Sequence, residues 1–142
     1  MAIVYFDSSA LVKLCVSERG SDLVDELWDR CDAACASLLA FSEVSAALAA
    51  ARRAERLREH DRHRAVEHFR HLWQQVRVVH LTPAVSTTAA DLTANHPLSG
   101  ADAVHLASAL HIGNDVVMAT WDARLHQAAL GEGFAVVPAR IE

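Results

Sequence analysis

Apolar residues recur along this chain in two rhythms, short unbroken runs and longer stretches in which they return every three or four positions. Unbroken runs predict buried strands, and the wider spacing predicts amphipathic helices. Ile3-Val4-Tyr5-Phe6 opens the series as a strand that stops at Asp7, and a short helix over 9–16 follows. Residues 18–21 read as a turn, with Ser21 capping a helix to about residue 30 whose inner face carries Leu23, Val24, Leu27 and Trp28. A short alanine-rich strand over 32–37 leads into a helix over 38–53 with Phe41, Val44 and Leu48 on its buried stripe. A second long helix spans about 59–75, and residues 76–81 form a third strand. Thr82 and Pro83 supply the cap and first residue of a helix to about residue 94. Ser99 caps the next, whose buried stripe is Leu106, Ala109 and Leu110. Residues 116–120 make a clean fourth strand, Asp122 turns into a helix to about residue 130, and 134–137 is a last short strand.

Strands that alternate with helices demand a mostly parallel sheet covered on both faces, here an α/β/α sandwich of four or five strands. At 142 residues the chain fits one domain over positions 1–142, able to bury a core without metal or disulfide staples. Right-handed crossovers bring the carboxyl ends of the strands to one edge, where open α/β sheets bind ligands. No apolar run approaches the ~20 residues of a membrane span and no leader pattern precedes the first strand, so a cytoplasmic protein without membrane association is expected. Cys15, Cys31 and Cys35 include no CxxC pair and read as idle thiols.

A net charge of −5 argues against a protein that coats nucleic acid through bulk charge. Its distribution is uneven. Eight of the thirteen basic residues lie between Arg52 and Arg77 against four acids, a segment of net +4. An arginine band led by Arg52, Arg53 and Arg56 suits a phosphate backbone, and equally suits a solvated face laced with Glu/Arg pairs. The histidines at 60, 63, 68 and 71 have no cysteine or carboxylate spaced to complete a zinc tetrahedron.

Four acids compete for the sheet edge. Asp7 and Asp122 end strands, while Glu43 and Asp102 sit in the early turns of helices. Singly, each has an ordinary explanation as a cap or a partner of the helix dipole, and Ser8 is then available to cap in place of Asp7. His105 reads either as a core-edge histidine or as a ligand. Together, four carboxylates in one small crevice require a cation, because like charges raise one another's pKa. Oxygen-only donors select Mg²⁺ or Mn²⁺, whose natural chemistry here is phosphodiester hydrolysis. Ser9 and Thr120 would then orient the carboxylates or metal-bound water.

The strand-end Asp7-Ser8-Ser9-Ala10, the helical Glu43, Asp102-Ala103-Val104-His105-Leu106-Ala107 and the closing Thr120-Trp121-Asp122-Ala123-Arg124-Leu125 resemble the PIN-domain nucleases. Within that superfamily the Asp-Ser-Ser-Ala-Leu-Val-Lys opening is most similar to VapC-like toxins of type II toxin–antitoxin modules. The resemblance covers nearly the whole chain. It implies an acidic metal site of Asp7, Glu43, Asp102 and Asp122 supported by Ser9 and Thr120, and a Mg²⁺- or Mn²⁺-dependent endoribonuclease acting on RNA. A homodimer inhibited by a small cognate antitoxin, whose tail occupies the active-site groove, is also implied. Two positions depart from the pattern: Ser99-Gly100 stands where many relatives carry a basic residue, and Trp121 where a small residue is usual. That tryptophan either narrows the pocket or offers a base a stacking surface. The competing readings are a PIN nuclease in RNA processing without an antitoxin and a catalytically silent PIN-fold binding module. A phospho-acceptor receiver fails for want of a late lysine, since Lys13 is the only one, and a dinucleotide fold for want of GxGxxG after the first strand.

Overall fold

The computed structural model describes residues 2–142 and places five parallel strands in the order β3-β2-β1-β4-β5. These are β1 (Ile3–Phe6), β2 (Ala33–Ser37), β3 (Arg77–Val79), β4 (Val117–Ala119) and β5 (Ala135–Val137). The chain runs outward from β1 through β2 to β3, then returns across β1 to lay down β4 and β5. That reversal puts the topological switch beside the carboxyl ends of β1 and β4, where the strand-end loops part and leave a crevice.

β1 is central, and the register pairs Tyr5 with Cys35 on one side and with Met118 on the other. Alternate side chains leave the sheet on opposite faces. Tyr5, Cys35 and Met118 join one core, while Val4, Phe6, Ala34, Ala36 and Ala119 join the other. The first core is closed by α5 (Pro83–Asn95), α6 (Gly100–Ile112) and α7 (Ala123–Gly131). The second is closed by α1 (Ser8–Cys15), α2 (Ser21–Arg30), α3 (Leu39–Arg53) and α4 (Glu59–Trp73). Each large side chain buried here, such as Phe6, Leu11, Leu48 or Leu106, contributes about 1.5–3 kcal/mol. The mostly parallel α/β/α sandwich expected from the alternation is the observed fold, with all five strands parallel.

Local assignments differ in instructive ways. Gly20, not Ser21, occupies the N-cap of α2, and the Ser21 hydroxyl instead donates to the Val16 carbonyl (2.9 Å). On α3 the buried stripe is Ala40, Val44 and Leu48, and Phe41 turns aside to pack on Phe69 and Trp73 of α4. α6 has no single apolar stripe: His105, Leu106, Ala107, Ser108 and Ala109 are all buried, because the helix lies between the sheet and α5 and α7. Thr82 and Ser99 cap α5 and α6 as their sequence positions predict, accepting from Val85 N–H and Asp102 N–H (both 3.2 Å). Among the described residues no helix is long and apolar enough to cross a membrane.

Candidate active site

Asp7 leaves β1 at the switch point and is 3 % exposed. Its carboxylate is the N-cap of α1, accepting from Ala10 N–H at 2.9 Å, so the capping role passed to Ser8 by sequence reasoning belongs to Asp7 itself. Ser9 donates to the same oxygen at 2.6 Å, and Thr120, at the end of β4, donates to the other at 2.5 Å. The two hydroxyls also tie the strand ends together. Trp121 N–H donates to Ser9 Oγ (2.9 Å) and Asp122 N–H to Thr120 Oγ1 (3.1 Å), while Asp122 caps α7 by accepting from Leu125 N–H (2.9 Å). Asp7, Ser9, Thr120 and Asp122 are thus one hydrogen-bonded unit built from chain segments more than a hundred residues apart.

Glu43 reaches the crevice from the second turn of α3. Ser8 donates to its Oε1 at 2.6 Å, and His105 Nε2 lies 2.6 Å from the same oxygen. Ser8, released from capping, and His105 were not placed beside Glu43 by their spacing in the sequence, since both contacts are between distant elements. The only early sign was that His105 lies one turn beyond Asp102 on α6.

Burial is the main influence on the Asp7 carboxyl and pushes its pKa above the ordinary aspartate value, against the pull of its Ser9, Thr120 and Ala10 donors. Burial also pushes Asp102 up, and the neighbouring charges of Asp122 and Glu43 add to it. Glu43 behaves oppositely: burial favours its neutral form, but the donors from His105 and Ser8 outweigh it and hold the carboxyl below its usual value. Electrostatically, then, Asp102 feels both Asp122 and Glu43, and the four acids converge on one edge of the sheet. Among the described residues no three His, Cys, Asp or Glu side chains are drawn close enough together to hold a metal ion by themselves. All-carboxylate donors, Asp7 held toward the protonated state by burial and Asp102 by burial and its neighbours' charge, nonetheless suit a hard divalent cation that binds through one or two carboxylates and completes its shell with water and substrate oxygens.

The arginines stand apart from this cluster. Arg52 lies nine residues beyond Glu43 on α3, roughly 14 Å along the axis at 1.5 Å per residue. It pairs with Glu59 (3.0 Å), as does Arg62 (2.6 Å), while Arg53 is exposed on the last turn. Arg56 instead lines a groove of about 1080 Å³ between α1, α3 and α4, with Arg64 and His68, and the groove opens next to Ser9 and Lys13.

Trp121 is half-buried, and its indole is held on two sides. Lys13 Nζ sits 5.1 Å from the ring centroid, and Gly20, at φ 92°, presses against the ring so closely that a Cβ there would stand 2.9 Å from it. The Lys13 ammonium also bonds Glu18 (3.1 Å) and the Arg19 carbonyl (2.7 Å), fastening the turn over the tryptophan. Gly20→Ala is expected to lower stability by about 1–3 kcal/mol, through the left-handed backbone and overpacking against Trp121. An unchanged urea midpoint for that variant would contradict the close contact.

The family model of the PIN domain matches residues 4–130. Ribonuclease VapC45 of Mycobacterium tuberculosis (strain CDC 1551) is 49 % identical over all of this chain and 99 % of its own length. Among solved structures, M. tuberculosis VapC20, described as a sarcin-ricin loop cleaving toxin, superposes with a TM-score of 0.70 at 20 % identity, covering 94 % of this chain and 97 % of that one. A toxin-antitoxin complex from Klebsiella pneumoniae gives a TM-score of 0.68 at 18 % identity, covering 98 % of this chain and 99 % of that one.

Proposed function

The chain belongs to the PIN-domain family, and from that premise we propose that it is an endoribonuclease, the toxin of a type II toxin–antitoxin module, that hydrolyses RNA phosphodiester bonds at a Mg²⁺- or Mn²⁺-loaded site of Asp7, Glu43, Asp102 and Asp122. The observation that carries this reading is the convergence of those four carboxylates at the carboxyl ends of β1 and β4. The names of the similar proteins, a ribonuclease and a toxin-antitoxin complex, support it.

In this reading the bound cation supplies Lewis acidity at the phosphoryl oxygens and lowers the pKa of water. The protein's own contribution is placement. Ser9 and Thr120 hold both oxygens of Asp7 by donating to them, and Thr120 fixes the backbone that carries Asp122. Ser8 and His105 hold Glu43. Asp102, on the first turn of α6, lies in the field of Asp122 and Glu43, whose charges add to burial in opposing its ionisation. The groove beside Ser9, with Arg56 and Arg64 on its wall, is assigned to the RNA backbone and to the tail of the antitoxin that competes with it. Arg52 and Arg53 contribute only to the field at the far end of α3. A cytoplasmic homodimer completes the proposal.

Cleavage of a structured RNA by the purified protein is expected with Mg²⁺ or Mn²⁺ and not in excess EDTA, and EDTA-resistant cleavage would overturn the metal mechanism. A short reading frame for a small DNA-binding protein immediately upstream is expected of the toxin; a gene standing alone favours RNA processing without an antitoxin. A thermal measurement tests the cation separately. Asp102→Asn removes the repulsion with Asp122, so without divalent cation its Tm is expected to rise by about 1–3 °C. Mn²⁺ is then expected to raise the Tm of the unaltered protein more than that of the variant. A lower Tm for Asp102→Asn would mean that Asp102 is held by favourable contacts and not by its neighbours' charge.

A further inference from the structure

Tyr5 and His105 are fully buried polar side chains for which the mechanism above has no chemical step. They form a continuous relay to the acidic crevice. Ser37 N–H donates to Tyr5 Oη (3.1 Å), Tyr5 Oη lies 2.7 Å from His105 Nδ1, and His105 Nε2 lies 2.6 Å from Glu43 Oε1. Glu43 Oε1 is a carboxylate oxygen and only accepts, so Nε2 carries a hydrogen and donates it. In the neutral ring Nδ1 is then bare and accepts the Tyr5 O–H, while the Tyr5 oxygen accepts from Ser37 N–H. No buried side-chain nitrogen or oxygen among the described residues is left without a hydrogen-bond partner.

The outcome at Glu43 is asymmetric. Both of its donors, His105 and Ser8, bind Oε1, and among the described residues Oε2 has no hydrogen-bond partner. A glutamate side chain with three free torsions is thereby held in one orientation with a single oxygen left for a ligand. The ring of His105 is itself locked by the edge-on Tyr5 ring at 5.9 Å and by burial in α6.

We propose that His105, with its Nδ1 partnered by Tyr5, is a positioning residue that fixes Glu43 with Oε1 engaged and Oε2 free to ligate the catalytic cation. The ligating part of this statement rests on the proposed function; the fixing of Glu43 does not. Three variants separate the possibilities. His105→Phe keeps a buried ring and removes the donor, His105→Gln places an amide N–H₂ where Nε2 was, and Tyr5→Phe removes the hydroxyl that partners Nδ1 and accepts from Ser37 N–H.

In the unaltered protein, long-range ¹H–¹⁵N correlation of His105 is expected to show hydrogen on Nε2 and a bare Nδ1, and the three-bond couplings of Glu43 are expected to report one rotamer. His105→Phe is expected to average the Glu43 couplings and weaken Mn²⁺ binding, read by electron paramagnetic resonance, by about 10–100-fold. His105→Gln is expected to restore the single rotamer and recover most of that affinity, which a merely space-filling histidine would not require. Tyr5→Phe keeps the ring, and the His105 Nδ1 is expected to acquire hydrogen with partial averaging at Glu43. Hydrogen on Nδ1 in the unaltered protein, or a single Glu43 rotamer with unchanged Mn²⁺ affinity in folded His105→Phe, would overturn the proposal. If His105→Phe does not fold, an unchanged Glu43 in Tyr5→Phe overturns it. A protein that shows the relay and the fixed Glu43 but neither binds Mn²⁺ nor cleaves RNA would refute the nuclease reading and leave the positioning of Glu43 standing.

Discussion

Asp7→Asn is expected to reduce RNA cleavage by at least two to three orders of magnitude, the scale on which a preorganised electrostatic group acts, while leaving the fold intact. The fold survives because Asp7 has a second role that asparagine can fill: it caps α1 by accepting from Ala10 N–H, and asparagine is as good an N-cap as aspartate. What the variant cannot supply is a buried negative charge between β1 and β4. Burial raises the Asp7 pKa, so the folded state holds this proton more tightly than the unfolded chain does. Its contribution to stability is therefore present at low pH and lost as pH rises through the raised value. Without divalent cation, Asp7→Asn should accordingly show a flatter dependence of Tm on pH above the ordinary aspartate pKa than the unaltered protein. Circular dichroism melts and a cleavage assay on the same preparation decide the matter. Full activity in a natively folded Asp7→Asn protein would remove Asp7 from the mechanism.

Thr120→Val is the more damaging change overall, although it touches no charge. The Thr120 hydroxyl is fully buried, donates to Asp7 Oδ2 and accepts from Asp122 N–H. Valine has the same shape and leaves both groups without that partner, at about 1–3 kcal/mol for each buried polar group stranded. Stability is expected to fall by roughly 2–4 kcal/mol in urea unfolding. Cleavage by the protein that remains folded should fall about 10–100-fold, because the hydroxyl orients Asp7 and the start of α7 together. Thr120→Ser keeps the hydroxyl and should recover most of both losses. If the serine variant is as impaired as the valine, the methyl group and not the hydrogen bonds holds this corner.

The first strand's end and the caps of α5 and α6 were legible because they depend on neighbours in sequence, whereas the caps of α1 and α2 were misplaced by one residue. Ile3–Phe6 stopping at Asp7, Thr82-Pro83 opening α5 and Ser99 opening α6 each follow from a few adjacent residues, and all stand in the structure. The fully buried α6 defeated a stripe-based reading, since a helix covered on several sides has no polar face to set the period. Ser8, Tyr5 and His105 were missed as a group for another reason. Their contacts to Glu43 and to one another join β1, α1, α3 and α6, and no local spacing encodes them. The turn over Trp121 is similar: that an indole meets Gly20 and Lys13 depends on how α1 and α2 pack, and it occupies part of the ring surface that the sequence reading had left open to a base.

β4 follows β1 by more than a hundred residues yet lies directly against it. Proteins are made from the amino end, so β1, β2 and the helices between them emerge and begin to fold long before Val117–Ala119 exists. During that interval Asp7 has its cap from Ala10 but neither the Thr120 hydroxyl nor the Asp122 amide on its far side. An incomplete chain, or one cut before residue 116, therefore carries three of the four acids of the crevice, Asp7, Glu43 and Asp102, without Thr120 and Asp122 to complete it. Whatever chemistry the crevice performs is withheld by topology until synthesis has entered the last fifth of the polypeptide.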